Sequence, residues 1–256
     1  MKKSKFLTAV FSAALLISAA SSLTASDFRG QSLNGTTGLI ATPTAHTGWD
    51  KSERGIDIGI HYISEDDGYR IPKVTLQLIK NLEIGAAYDM QPQDDSDDLI
   101  LHGKFKFSAT DTHLAIGGNY QKLKLHDESF TNQQAYLAAT YRGSFIGMPA
   151  ETTIVFGKTF GDNTEDSDLD FSMGFDVNFL PKVFNGYIHW ISDFANYSYS
   201  RIPGGADYSY RGCLNTGFRL AVLKGSKFKL NVDVFLLDAL EDNRSFASGI
   251  SFGMPL

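Results

Sequence analysis

The chain has 256 residues, of which 43% are hydrophobic, 20% charged and 12% aromatic, with 24 Gly, one Cys and a formal net charge of −6. This excludes a disulfide-stapled scaffold, which needs several cysteines, a disordered chain, which is poor in aromatics, and a helical membrane protein, which needs repeated apolar runs of about 20 residues. The acidic balance gives no support to a nucleic-acid partner, and the mean hydropathy of −0.15 describes a slightly polar folded chain.

Residues 1–26 read as a cleaved signal peptide. Lys2, Lys3 and Lys5 form a positive start, Phe6 to Ala20 is apolar or small, and a small-residue stretch ends near Ala25 and Ser26. The apolar run falls short of a membrane span, so a secretory address is favoured over an anchor. No Cys stands near the cleavage region to carry a lipid.

Residues 27–53 precede the first strong strand pattern and are expected to form either a first strand or a partial plug. From residue 54 to 256 the chain is dominated by period-two alternation, the mark of strands with two unlike faces. From Leu169 to Phe179 every odd position is large and apolar and every even one is polar or Gly. From Phe228 to Leu236 the apolar face alternates with Lys229, Asn231 and Asp233. The same pattern predicts strands over Ile56–Tyr62, Leu82–Met90, Leu99–Phe107, Leu114–Tyr120, Leu214–Val222 and Ile250–Leu256. It is weaker over Val74–Lys80, Ala135–Arg142, Thr152–Phe160 and Tyr187–Phe194.

That makes about twelve strands. Their connections alternate between short turns and longer acidic stretches, with Leu123–Thr131 among the long ones and Gly143–Ala150 a longer member of the short set. The long acidic connections carry 17 of the 29 Asp and Glu. Strict alternation puts all the long loops at one end of the array.

Two architectures compete, a secreted β-sandwich and a closed antiparallel up-and-down transmembrane β-barrel. The barrel is favoured. Its strands are long, charges sit inside strands as well as between them, and aromatics stand near strand ends at Tyr62, Tyr69, Tyr88, Tyr120, Phe160, Phe179 and Tyr208, as an interfacial girdle requires. In hydrocarbon no water satisfies a sheet edge, so a spanning sheet must close. The barrel pattern implies outer-membrane lipid and the barrel-assembly machinery as partners, and the outer membrane of a Gram-negative bacterium as location. The terminal Pro255-Leu256 departs from the aromatic end common in such barrels.

Alternation also picks out candidate lumen-lining residues: Asp57, His61, Lys104, Lys106, Asp170, Asp176, Asn178, Arg219, Lys229 and Asp233, with Glu83, Asp89 and Arg142 beside them. Twelve strands lie between filled small barrels and open large ones, so a narrow pore and a plugged barrel both fit.

The search for chemistry finds no catalytic residue, metal site or cofactor site. Gly249-Ile250-Ser251-Phe252-Gly253 matches a nucleophile elbow in letters but lacks the following acid and His; its Gly and Ser read as the inward face of the last strand. Asp166-Ser167-Asp168-Leu169-Asp170 starts like a calcium loop, but Phe171 and Val177 occupy the positions that need Gly and Glu. The six His form no zinc motif, and His189 is the one His whose facing is ambiguous, with lipid as one option.

One segment carries a family resemblance. Gly35-Thr36-Thr37-Gly38-Leu39-Ile40-Ala41-Thr42-Pro43-Thr44-Ala45 resembles the G-x-x-G-L-I-x-x-P-[ST]-A opening of YjbH-like outer-membrane proteins. The resemblance implies a non-enzymatic role in cell-envelope or exopolysaccharide export, with polysaccharide or export proteins as partners and Gly35, Gly38, Leu39, Ile40, Pro43, Thr44 and Ala45 as the family motif. The rival functions are a small diffusion porin and an outer-membrane lipid hydrolase.

Overall fold

Twelve antiparallel strands close on themselves in strict sequence order. The computed structural model describes residues 29–49, 54–64, 68–91, 96–109, 112–125, 128–161, 169–196, 213–240 and 244–256. The signal peptide, Tyr208 and the Asp166–Asp168 stretch lie outside the described residues.

The strands are β1 (Gly55–Ser64), β2 (Tyr69–Ile79), β3 (Leu82–Gln91), β4 (Ser96–Ala109), β5 (Thr112–Leu125), β6 (Glu128–Phe145), β7 (Met148–Gly161), β8 (Asp170–Asn178), β9 (Ile188–Asn196), β10 (Cys213–Ala221), β11 (Lys229–Leu237) and β12 (Ser245–Pro255). A four-residue helix, α1 (Pro181–Phe184), fills the turn between β8 and β9. The seam is complete: β1 pairs with β12 from Gly55↔Pro255 to Ser64↔Phe246. Pro255, which has no N–H to give a ladder, is tolerated because it is the last paired residue of its strand.

The wall explains the sequence pattern. Ile58, Ile60, Leu101, Phe105, Ile116, Leu137, Phe156, Phe218, Val234, Ile250 and Phe252 are exposed on its outer face. Their neighbours one residue along, among them Asp57, His61, Lys104, Lys106, Arg219, Lys229 and Asp233, are buried inside. A sandwich would bury the apolar face between two sheets. Here it rings the outside of a closed barrel, the arrangement of a chain whose solvent is lipid.

Two connections differ from the sequence reading. Leu123–Thr131 is not a long loop: β5 runs to Leu125, β6 starts at Glu128, and Leu125 pairs with Glu128. Gly143–Ala150 is a tight two-residue turn at Ile146-Gly147, with β6 and β7 paired up to Phe145↔Met148. Both stretches mix polar and small residues, so alternation fades before pairing does. The consequence is a taller wall over β4 to β7, whose strands have 14, 14, 18 and 14 residues.

The proposed girdle also divides. Tyr62, Tyr120 and Phe160 are exposed on the outer face. Tyr69 packs instead against the apolar cluster inside the barrel, because β2 takes the register that sends Ile71 and Lys73 inward. Phe179 lies just past β8 and stacks with Phe184 and edge-on with Phe218 near the short-turn end.

Candidate functional site: a lumen plugged by residues 29–49

Residues 29–49 join no barrel strand. They form a compact irregular knot whose residues from Gly30 to Trp49 are all buried, and their side chains and backbone bond to β1, β2, β3, β4, β6, β7, β9, β10 and β11. The knot holds itself with backbone bonds from Leu33 N to Ile40 O (2.8 Å), Leu39 N to Thr42 O (2.9 Å) and Gly38 N to Gly30 O (3.0 Å), plus the bridges Gln31↔Thr37 and Gly38↔Pro43. Gly35 turns the chain at φ +89°, which a side chain would strain.

A knot of this kind has more backbone donors and acceptors than it can pair internally, and burial makes each unpaired one costly. The wall supplies the partners. On the acceptor side, Asp193 Oδ2 receives the N–H groups of Ile40 (3.0 Å), Ala41 (2.7 Å) and Thr42 (2.8 Å). Glu83 receives the Thr36 and Thr37 hydroxyls (3.1 and 2.6 Å) and the N–H groups of Thr37 (2.8 Å) and Gly48 (3.0 Å).

On the donor side, Lys73 Nζ donates to the carbonyls of Ser32 (2.7 Å) and Leu33 (3.0 Å), and Lys104 Nζ to that of Thr37 (2.8 Å). Arg219 donates to the carbonyls of Gly38 (3.0 Å) and Gln31 (2.9 Å) while its other edge binds Asp233 at 2.8 and 3.1 Å. A Cβ at Gly30 would run into the Arg219 guanidinium and push it off its partners. At the short-turn end Lys229 bonds the Gly48 carbonyl and Asp57, and its ammonium lies 3.8 Å from the Trp49 ring centre. Arg29 forks onto Glu151 at 2.7 and 3.1 Å, where His46 and Arg142 also converge.

Each residue of the Gly35–Ala45 motif therefore has a task in this knot. Leu39, Ile40 and Ala41 enter an apolar collar formed on the inner wall by Ile63, Ile71, Ile100, Ile191, Phe235 and Leu237. Pro43 is bridged to Gly38. Thr44 N returns to Thr37 O at 3.2 Å. Ala45 is fully buried against Ala115, Tyr136, Ala138 and Val155, and its N–H donates to the Thr140 hydroxyl at 2.9 Å. Thr140→Val keeps the shape and strands that N–H. We expect a loss of about 1–2 kcal/mol, seen as a lower urea midpoint for the heat-modifiable folded band.

The candidate lumen residues fall into two groups. Asp57, His61, Lys104, Arg219, Lys229 and Asp233 meet the plug or a residue that holds it. Asp170, Asp176, Asn178 and Lys106 also face inward, the first two held by other residues of the wall. Asp170 takes Gln134 (2.7 Å) and Thr159 (2.5 Å), and Asp176 lies 2.6 Å from His189 Nδ1. His189 consequently faces the lumen and not lipid, in register with Arg219. Ser251 is buried on the inward face of β12 between Gly249 and Gly253, whose missing side chains leave room for His61 and Asp57.

Sequence reasoning missed Asp193, Lys73 and Glu151. β9 hid Asp193 because Ile191 and Ala195 share its inward face with it, which blurs the alternation. On β2 the signal was present, as Lys73, Thr75 and Gln77 alternate with Val74, Leu76 and Leu78.

A closed twelve-stranded wall, greasy outside and charged inside, with its lumen occupied by its own N-terminal segment, defines a plugged outer-membrane-type β-barrel. No family model and no curated protein matches the chain. Among solved structures it is similar to the KdgM porin, at 8% identity over 78% of this chain and 99% of that one, with a TM-score of 0.49. It is also similar to Omp33 of Acinetobacter baumannii (9% identity, 80% and 98% covered, TM-score 0.45) and to the translocator domain of the autotransporter NalP from Neisseria meningitidis (9%, 79% and 88%, TM-score 0.44).

Proposed function

We propose that this protein is a non-enzymatic, YjbH-like barrel of the Gram-negative outer membrane that works with its lumen closed and supports cell-envelope or exopolysaccharide export. The observation that carries the closed state is the anchoring of residues 29–49 by side chains from most of the wall, led by Asp193, Glu83, Lys73, Lys104 and Arg219. A free diffusion pathway needs an open lumen, and this one is filled with hydrogen-bonded backbone. The export role draws its support from the Gly35–Ala45 resemblance, whose residues build the plug itself.

The test has two arms. Purified full-length protein in planar bilayers is expected to be electrically silent; steady channels from the intact chain would favour the diffusion-porin reading. Deletion in the parent bacterium is expected to lower cell-surface or secreted polysaccharide, and normal polysaccharide with altered solute uptake would count against the export role.

A further inference from the structure

The short-turn end of the wall breaks a local rule twice over β6 to β9. The β6–β7 hairpin outruns its neighbours: the described pairing of β5 with β6 ends at Tyr141 and that of β7 with β8 at Ala150, so the pairs Ser144↔Pro149 and Phe145↔Met148 stand clear of the wall. At the hairpin tip Ile146 is 83% exposed with φ +48°, a conformation that suits Gly or Asn and strains a β-branched residue. The turn between β8 and β9 repeats the pattern, with Leu180 exposed at φ +43° and Val183 of α1 66% exposed. The turns themselves gain nothing from an apolar side chain held exposed in a strained position, so the gain lies in what that side chain touches.

We propose that this end of the barrel seats in the inner leaflet of the outer membrane and binds anionic phospholipid there, with Ile146, Leu180 and Val183 inserted among the lipids and Lys182, Lys224 and Lys227 on the phosphates. This rests on the outer-membrane reading above, which puts the short turns on the periplasmic side.

Charge selects the lipid. The three short connections from β6 to β11, residues 142–150, 179–187 and 222–228, are described throughout and contain Arg142, Lys182, Lys224 and Lys227 but no carboxylate. Arg142 is bound to Glu151. The three lysines have no ion pair among the described residues. Lys224 donates to the Asn185 carbonyl and lies 5.5 Å from the Tyr187 ring centre, Lys227 lies 5.1 Å from that of Phe228, and Lys182 is exposed on α1. A carbonyl or a ring orients an ammonium without neutralising it, so each lysine is placed and still carries its charge to an anion.

Geometry favours lipid over a soluble protein as the partner. The exposed tips are continuous with the lipid-facing wall. Phe145 stacks on Phe175 and meets Trp190 edge-on, and Phe179 does the same with Phe184 and Phe218. The Leu180 N–H meets Met148 Sδ at 3.4 Å, which joins the first two turns. The third joins them through the Ala221 N–H, which donates to the Tyr187 carbonyl at 2.8 Å. Apolar tips, a row of aromatic rings and lysines resting on rings thus share one end of the barrel, the set of groups that a membrane interface holds.

The experiment is native mass spectrometry of the full-length barrel released from micelles that hold equal amounts of phosphatidylglycerol and phosphatidylethanolamine. We expect phosphatidylglycerol to be retained about five-fold over phosphatidylethanolamine. The triple variant Lys182→Gln, Lys224→Gln and Lys227→Gln should retain the two equally. Ile146→Asn suits the left-handed turn, so the folded band should persist while retention of both lipids falls about two-fold. Equal retention by the unaltered protein would overturn the proposal without depending on any variant, and so would an undiminished preference in the folded triple variant. A photo-crosslinking side chain placed at Ile146 should label lipid in living cells; a protein adduct in its place would overturn the proposal and assign the patch to a periplasmic partner. Membrane fractionation reports on the outer-membrane reading separately, so the two can fail independently.

Discussion

Replacing Arg219 by Met is expected to cost about 3–5 kcal/mol, the range for breaking a buried ion pair by removing one partner. The guanidinium is 2% exposed and serves two surfaces at once. Its Nε and one terminal nitrogen hold Asp233 on β11, and its terminal nitrogens hold the Gly38 and Gln31 carbonyls of the plug. Methionine fills much of the volume and supplies none of those donors. Among the described residues Asp233 would keep the His61 ring, 3.0 Å away, and two plug carbonyls would lose their Arg219 donors. The measurement is the urea midpoint of the folded band, with intrinsic Trp fluorescence as a second probe because Trp49 sits in the plug. Arg219→Met combined with Asp233→Leu should recover part of the loss, since an apolar pair leaves no stranded charge. A single-variant cost under about 1 kcal/mol would mean that the guanidinium does not tie plug to wall.

The wall was largely legible in the sequence and the plug was not, for a physical reason. A strand in a barrel announces itself locally: Leu169 to Phe179 alternates because each side chain faces lipid or lumen, whatever its distant partners are. The plug has no period. Residues 29–49 make sense only through partners far along the chain, such as Asp193, more than 150 positions from Ile40, and Arg219, more than 180 from Gly38. The alternation did give the facing of Arg219, Lys229 and Asp57, yet it could not say whether those charges meet water, each other or backbone. The resemblance at Gly35–Ala45 named residues without giving them a task. The structure supplies one: a glycine turn, two hydroxyls for Glu83, three consecutive N–H groups for Asp193 and three apolar side chains for the collar.

Removing the two acidic anchors should convert a silent barrel into a gated one. Asp193→Ala strands the N–H groups of Ile40, Ala41 and Thr42 at about 1–3 kcal/mol each. Glu83→Gln weakens the second site by taking away the charge that strengthens its bonds to Thr36, Thr37 and Gly48. The wall itself should survive, because its ladder bonds and its apolar outer face are untouched, and because β1 and β12 stay sealed along their whole length. The plug, in contrast, would retain cationic anchors with fewer anionic ones to balance them. In planar bilayers the double variant is expected to show brief openings where the unaltered protein shows none, and a chain lacking residues 29–49 should show steady ones. Among the described buried residues, the lumen uncovered in the shortened chain would carry Lys73, Lys104, Lys106, Arg219 and Lys229 against Asp57, Glu83, Asp89, Asp98, Asp170, Asp193 and Asp233. The acidic excess predicts a preference for cations over anions, measurable as the sign of the reversal potential in a salt gradient. Continued silence in the shortened, folded barrel would show that something other than the plug closes the passage, and would remove the plug from its place in the proposed function.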